Sequence, residues 1–218
     1  MDMRKETIER ILENKLIAIV RGVYGEDCIR LAEALCRGGM KLIEVTFDQA
    51  NPESFVRTQE AIAGIISRFG DEFYAGAGTV TSTALVEMAH EAGARYIISP
   101  NYDPAVIRRT LELDMVSIPG ALTASEVVNA HNAGADFVKL FPMANLGAGY
   151  LKAVRSPLNH IRFMAVGGVN EDNLGEFMAA GAVGAGIGGN LVNKKWISEG
   201  KFDEITALAA RMVAIANA

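Results

Sequence analysis

The stretch TASEVVNAHNAGADFVKLFP, residues 123–142, contains one unit of the pattern that decides the fold. In its first part, residues 123–135, a threonine suited to cap a helix is followed by apolar residues at spacings of three and four, and a glycine lies near the end. Its second part, residues 137–142, is a short apolar run typical of a buried strand. We interpret the unit as a helix followed by a strand.

The same unit recurs along the chain, so that helical patterns separate short apolar runs. Alternating strands and helices predict right-handed βαβ units and a parallel sheet. The count of eight strands favours closure into a compact (β/α)8 TIM barrel. The alternative, an open doubly wound sheet, is disfavoured because no GxGxxG motif follows the first run. The eight runs are LIAIVRG (16–22), KLIEVTF (41–47), FYAGAGTV (73–80), YIISP (96–100), VSIPG (116–120), FVKLFP (137–142), IRFMAVGG (161–168) and GAGIGG (184–189).

Domain organisation is predicted to be simple. No linker or low-complexity stretch divides the chain, so residues 1–218 are predicted to form a single barrel domain. Residues 1–13 have the pattern of an additional amphipathic N-terminal helix, which could cover one end of the barrel.

Composition excludes several classes of protein. Of 218 residues, 50% are hydrophobic and 22% charged, which argues against a disordered or fibrous chain. The formal net charge of −5 disfavours binding to nucleic acid or to an anionic membrane surface. No uncharged apolar run reaches about 18 residues, and the first residues are charged, so we expect a cytoplasmic protein without a membrane span.

Lys139 is a charged residue inside an apolar strand. Alternation along the strand sends Phe137, Lys139 and Phe141 to one face, and Val138 and Leu140 to the other. Inside a barrel a lysine is partly desolvated, which lowers its pKa and frees the amine for Schiff-base chemistry. The alternative is a structural lysine paired with a buried acid.

Glu44 and Arg21 are two further charged residues within or at the end of predicted apolar strands. Glu44 lies within LIEVT, on the same face as Thr46, where desolvation and a neighbouring cation would set its pKa near that of a general acid or base. Arg21 closes the first strand, at the end where barrel active sites are built, and its fork suits a carboxylate or phosphate. Structural ion pairs remain the alternative for both.

Two glycine pairs end the last two strands. Barrels often bind phosphate with these loops, whose backbone N–H groups can approach an anion closely when glycine is present. Tight turns are the alternative for each pair. The pairs are Gly167-Gly168 and Gly188-Gly189.

Metal-dependent and nucleophilic hydrolase chemistry is disfavoured. The three histidines, His90, His131 and His160, are scattered along the chain without the spacing of a ligand pair. There is no G-x-S-x-G elbow and no P-loop. We therefore predict no metal and no cofactor.

Several motifs, in order over nearly the whole chain, are similar to those of a known family. They are IEVTF around Glu44, GAGTV (76–80), ISPNYD (98–103), IPGALTASE (118–126), FVKLFP (137–142) and VGGVNEDN (166–173). Together they resemble the bacterial 2-keto-3-deoxy-6-phosphogluconate (KDPG) and 4-hydroxy-2-oxoglutarate (KHG) aldolases. The resemblance implies a metal-independent class I aldolase on a (β/α)8 barrel, usually trimeric, that cleaves a 2-keto acid substrate to pyruvate and an aldehyde.

The resemblance also implies roles for particular residues. Lys139 would form the Schiff base and Glu44 would be the general acid/base. Arg21 and Thr79 would hold the carboxylate on the pyruvate side, and Phe141 would pack beside the bound ketone. Phosphate would lie at the glycine pairs, which are Gly167, Gly168, Gly188 and Gly189.

Three positions depart from the family pattern. Asp48 stands where many members carry arginine, Val166 where threonine is frequent, and Gly189 where a serine commonly helps to bind phosphate. The run AVGGV is closer to 2-dehydro-3-deoxy-6-phosphogalactonate aldolases. The sugar acid that is cleaved therefore stays open, and a non-catalytic anion-binding barrel and a phosphosugar isomerase or synthase are the rival functions.

Overall fold

The computed structural model describes residues 3–218, so Met1 and Asp2 of the predicted N-terminal helix lie outside the described residues. All its strand pairs are parallel and form one sheet. The strands are β1 (Leu16–Val20), β2 (Leu42–Thr46), β3 (Tyr74–Gly78), β4 (Tyr96–Ile98), β5 (Val116–Ile118), β6 (Gly120–Ala121), β7 (Val138–Leu140), β8 (Phe163–Val166) and β9 (Gly184–Ile187).

The chain itself closes this sheet into a barrel. The strand order is β5-β4-β3-β2-β1-β9-β8-β7-β6, so β5 and β6 stand at opposite ends although only Pro119 separates them in sequence. The Lys139 N–H donates to the Pro119 carbonyl at 2.9 Å, beside the pairing of β6 with β7. The fifth predicted strand is thus one barrel strand in two parts. The predicted TIM barrel is confirmed, and the open doubly wound sheet is excluded.

Helices cover the outside of the barrel. Ser82, Asp103 and Thr123 cap three of them through side-chain oxygens, and Thr123 does so as its sequence predicts. No helix in the described part of the chain is long and apolar enough to cross a membrane. The helices are α1 (Met3–Asn14), α2 (Gly25–Arg37), α3 (Phe55–Phe69), α4 (Thr83–Glu91), α5 (Pro104–Glu112), α6 (Ala124–Asn132), α7 (Gly147–Arg155), α8 (Leu174–Ala179), α9 (Lys194–Ser198) and α10 (Phe202–Ala216), with short 3-10 turns at Pro52–Ser54 and Gly70–Glu72.

Two apolar layers follow from the strand alternation. Residues such as Leu42, Tyr96 and Phe137 form a cluster inside the barrel. Their neighbours along the strands, such as Ile43 and Val138, face outward and pack with the helices. A polar residue on the inner face of a strand therefore lies inside the barrel.

Helix α1 closes the end of the barrel where the strands begin. Ile11 is fully buried and belongs to the inner cluster. Arg4 donates two hydrogen bonds to Asp136, at 3.1 and 2.8 Å. The predicted covering helix is confirmed, and the carboxyl ends of the strands remain as the open end.

Candidate active site

A cavity of about 750 Å³ opens at the carboxyl ends of the strands. This is the face on which barrel enzymes build their active sites. Every site residue predicted from the sequence lines it. They are Arg21, Glu44, Thr79, Lys139, Phe141, Gly167, Gly168, Gly188 and Gly189.

Lys139 lies in the middle of β7, with its side chain on the inner face. It is only 7% exposed, and its Nζ atom lies 4.8 Å from the centre of the Phe141 ring. Burial is the main cause that lowers the pKa of Lys139, and the positive charge of Arg21 lowers it further, whereas Glu44 acts in the opposite direction. The net lowering increases the fraction of free amine near neutral pH.

Glu44 lies on the inner face of β2 and is 2% exposed. Burial raises the pKa of its carboxyl group, while the charges of Lys139 and Arg21 lower it to a smaller extent. Its Oε2 atom has no hydrogen-bond partner. A buried carboxyl group with an unpaired oxygen and a raised pKa can accept and return a proton.

Glycines on β3 make room for these inner side chains. A Cβ atom on Gly78 would lie 2.8 Å from Oε1 of Glu44, and a Cβ on Gly76 would collide with the ring of Tyr96. Tyr96 is fully buried and donates its hydroxyl proton to the Ile43 carbonyl at 2.6 Å. The two glycines of the GAGTV motif therefore leave the space that Glu44 and Tyr96 fill inside the barrel.

Arg21 and Thr79 follow the ends of β1 and β3. Thr79 has a φ of +56°, a left-handed conformation that is unusual for a β-branched residue. The side chain of Gln49 donates to the Thr79 carbonyl at 3.0 Å. Strained backbone of this kind clusters at functional sites, and here it lies at the rim of the cavity.

The two glycine pairs differ in their physical requirement. Gly167 and Gly168 have φ values of +94° and +78°, and a Cβ on Gly168 would lie 2.7 Å from Cβ of Ala144. Gly188 and Gly189 have no such conformation, and a Cβ on Gly189 would meet no atom within 4 Å. Glycine is required at the first pair because the backbone there is left-handed, whereas at the second pair the absence of a side chain leaves open space at the cavity wall.

Comparison with known proteins identifies the family of this chain. A family model described as KDPG and KHG aldolase matches residues 7–208. The chain belongs to this family. It is 34% identical to the 2-dehydro-3-deoxy-6-phosphogalactonate aldolase of Escherichia coli K12 over 177 residues, covering 81% of this chain and 83% of that protein. It is also 34% identical to the 2-dehydro-3-deoxy-phosphogluconate aldolase of Treponema pallidum over 211 residues, covering 96% of both.

A solved structure adds information on the chemistry of the family. The KDPG aldolase of Legionella pneumophila, with pyruvate captured as a covalent carbinolamine intermediate, superposes with a TM-score of 0.84. It is 27% identical and covers 94% of this chain and 97% of its own. The predicted enzyme class, an aldolase and therefore a carbon–carbon lyase, is confirmed by the family.

Four further polar residues of this KDPG/KHG aldolase family member line the cavity and were missed by the sequence analysis. They lie just beyond the second glycine pair and are Asn190, Asn193, Lys194 and Lys195. The amide of Asn190 donates to the Val169 carbonyl at 2.9 Å and so links the two glycine loops. The KK pair shortly after the last strand could have indicated them, but a loop sequence does not show which way it folds.

The charge of the cavity is opposite to that of the whole chain. Arg21, Lys139, Lys194 and Lys195 line it, while Glu44 is the single acidic residue among the lining residues in the described chain. This local excess of positive charge favours an anionic ligand although the formal net charge of the protein is −5.

The departures from the family pattern have different positions. Asp48 does not line the cavity, and its Oδ1 accepts from the Ala50 N–H at 3.1 Å in the turn after β2. Val166 is 6% exposed and forms an apolar part of the cavity wall. Gly189 lies at the cavity beside open space.

The histidines are less scattered than the sequence predicts. The rings of His131 and His160 contact each other edge to face, with centres 5.0 Å apart, because the chain after α7 returns to the end of α6. Neither lines the cavity. Within residues 3–218, no three His, Cys, Asp or Glu side chains form a group that could hold a metal ion.

Proposed function

We propose that this protein is a metal-independent class I aldolase that cleaves a 2-keto-3-deoxy sugar acid to pyruvate and an aldehyde. The observation that carries the proposal is the buried pair of Lys139 and Glu44 in one cavity, where the pKa of the amine is lowered and that of the carboxyl group is raised. The covalent pyruvate adduct in the Legionella relative supports the Schiff-base route.

Lys139 begins the reaction as a free amine. Its nitrogen attacks the C2 ketone of the substrate, and loss of water from the carbinolamine leaves a cationic iminium. When the C3–C4 bond breaks, its electron pair moves into the iminium and forms a neutral enamine, so no free carbanion develops. The burial of Lys139 lowers the pKa of its amine and so increases the fraction that is free for the first step.

Glu44 transfers the protons of the later steps. Its carboxylate removes the proton of the C4 hydroxyl as the aldehyde leaves, and the carboxylic acid then returns that proton to the C3 carbon of the enamine. Hydrolysis of the resulting iminium releases pyruvate and restores the amine of Lys139. The raised pKa of Glu44 suits a group that must hold the proton between these two steps.

Arg21 and Thr79 orient the substrate. The guanidinium group of Arg21 pairs with the carboxylate next to the ketone, and Thr79 adds a hydroxyl at the same end. The ring of Phe141, which already contacts the Lys139 amine, packs beside the ketone. This orientation keeps the bond that breaks perpendicular to the plane of the iminium, as electron transfer into it requires.

The far end of the cavity is assigned to the terminal anionic group of the substrate. The glycine pairs offer backbone N–H groups, and Lys194 and Lys195 add positive charge. We propose as substrate KDPG, whose phosphate stays on the product glyceraldehyde 3-phosphate, or KHG, whose second carboxylate stays on the product glyoxylate. The galactonate epimer of KDPG is the second candidate, since a relative with that name is as similar as the gluconate relative.

Trapping with borohydride tests the covalent step. Wild-type protein incubated with pyruvate and borohydride should gain the mass of a reduced pyruvyl group, whereas Lys139→Ala should not. Lys152→Ala, which removes an exposed lysine on α7, is the matched control and should trap like wild type. An adduct on Lys139→Ala, or none on wild type, would refute the assignment.

A second set of variants and substrates tests proton transfer and specificity. Glu44→Gln should lower turnover roughly 10²–10⁴-fold, because a general acid/base is lost.

Pyruvate release from KDPG, its galactonate epimer and KHG, measured side by side, should show which acid has the highest kcat/KM. A wild-type protein that traps no pyruvate and cleaves none of the three would favour a non-catalytic anion-binding barrel or a phosphosugar isomerase.

Assembly is proposed from the family, and location and partners from the sequence. We propose a homotrimer in the cytoplasm, with small 2-keto acids as its ligands and neither nucleic acid nor membrane as a partner. Sedimentation equilibrium of the purified protein should give three times the 23.3 kDa of one chain, and a monomer would contradict the trimer.

A further inference from the structure

Thr46 carries a buried hydroxyl group that no protein atom satisfies. The residue is 2% exposed, and its Oγ1 has no hydrogen-bond partner. Across residues 3–218, only three buried side-chain nitrogen or oxygen atoms lack a partner, and two of them are Oγ1 of Thr46 and Oε2 of Glu44. Unsatisfied buried polar atoms are rare in folded proteins and often bind an ordered water.

The two unsatisfied oxygens belong to neighbouring side chains. Glu44 and Thr46 lie two residues apart on β2, so both side chains are on the inner face. Cδ of Glu44 and Cγ2 of Thr46 each lie 2.9 Å from the position that a Cβ on Gly78 would take. The carboxyl group and the threonine side chain therefore border the same space above Gly78.

We infer that Thr46 is a positioning residue for Glu44, and that its hydroxyl holds a water which donates a hydrogen bond to Oε2 of Glu44. A hydroxyl can donate and accept, whereas an ionised carboxylate only accepts, so a bridging water satisfies both groups. The inference rests on the proposed function, because Thr46 acts on the proton transfer that is proposed for Glu44.

The charges around Glu44 set the direction of the effect. Lys139 faces it from β7, Arg21 from the end of β1, and the Tyr96 hydroxyl from β4. The β3 residues beside it are Gly76 and Gly78, which carry no charge. The two cations favour the carboxylate and burial opposes it. A hydrogen bond donated to the ionised form also favours it, so loss of the Thr46 hydroxyl would raise the pKa of Glu44 further.

The exchange of pyruvate methyl protons for deuterium isolates this step, since it requires the iminium and Glu44 but no aldehyde. Followed by NMR across pH, Thr46→Val should exchange roughly 10- to 100-fold more slowly, with the acidic limb of the profile moved to higher pH. Thr46→Ser, which restores a hydroxyl, should return the rate and profile towards wild type. Thr110→Val is the control, because Thr110 is fully buried but donates to the Val106 carbonyl away from the cavity.

The outcomes separate this inference from the proposed function. Borohydride trapping of pyruvate should be the same in wild type and in all three variants. Wild-type trapping combined with an unchanged exchange profile in Thr46→Val would overturn the role of Thr46 alone, whereas absence of trapping in wild type would overturn the proposed function and this inference together.

If Thr46→Val does not fold, a crystal structure of the wild-type protein shows whether a water bridges Thr46 and Glu44. A water within hydrogen-bond distance of both Thr46 Oγ1 and Glu44 Oε2 is the expected result. A site without that water would overturn the inference.

Discussion

Replacing Gly78 with alanine should lower turnover while leaving the barrel folded. The added Cβ would lie 2.8 Å from Oε1 of Glu44 and 2.9 Å from Cγ2 of Thr46. Carbon atoms in contact normally stay about 3.5–4.0 Å apart, so both side chains must move by roughly half an ångström or more. The φ of Gly78 is not in the left-handed region, and therefore the backbone accepts alanine without strain.

The size of the effect follows from which atoms must move. The carboxyl group of Glu44 is the far end of a flexible side chain, so overpacking should reduce the free energy of unfolding by only about 1–3 kcal/mol. A displaced catalytic group is more serious, because a shift of about 1 Å can reduce the rate on the order of 10²-fold. We expect kcat to fall by roughly that factor with a smaller change in KM.

Steady-state pyruvate release and urea denaturation measure the two effects. Gly149→Ala is the matched control, since a Cβ there meets no atom within 4 Å and α7 should gain about 0.5–1 kcal/mol from alanine. Borohydride trapping by Gly78→Ala should persist, because Lys139 is untouched. Wild-type kcat in a folded Gly78→Ala protein would refute the reasoning that the position of Glu44 limits catalysis.

Three further variants test other parts of the molecule. Arg21→Leu removes a charge that lowers the pKa of Lys139, so the pH at which borohydride trapping becomes half-maximal should rise, and an unchanged or lower value would contradict this. Lys194→Met should raise KM roughly 3- to 10-fold for a phosphorylated substrate but not for the same acid without phosphate. An equal change in KM for both substrates would refute a contact between Lys194 and the phosphate. Asp136→Ala breaks the ion pair with Arg4, whose side chain is 32% exposed. The free energy of unfolding, measured in urea, should fall by about 2 kcal/mol. A change near zero would mean that α1 is held by apolar packing alone.

Local sequence determined the elements and the faces of their residues. A strand has a side-chain period of two, so the sequence of FVKLFP already puts Lys139 on the face of Phe137 and not on that of Val138. The apolar runs likewise predict the strands, the threonine at residue 123 predicts the start of α6, and the pattern of residues 1–13 predicts the covering helix α1. The ends of strands also share one face of a barrel, which is why Arg21 could be assigned to the cavity in advance.

Tertiary structure decided what depends on atoms far apart in the chain. Closure at Pro119, the space that Gly78 leaves for Glu44 and the contact of His131 with His160 each require distant segments to meet. No local pattern encodes such distances, because periodicity specifies a direction along one element and not its neighbour. For the same reason the sequence does not place Lys194 at the cavity, which it lines because the chain after β9 folds beside the open end of the barrel.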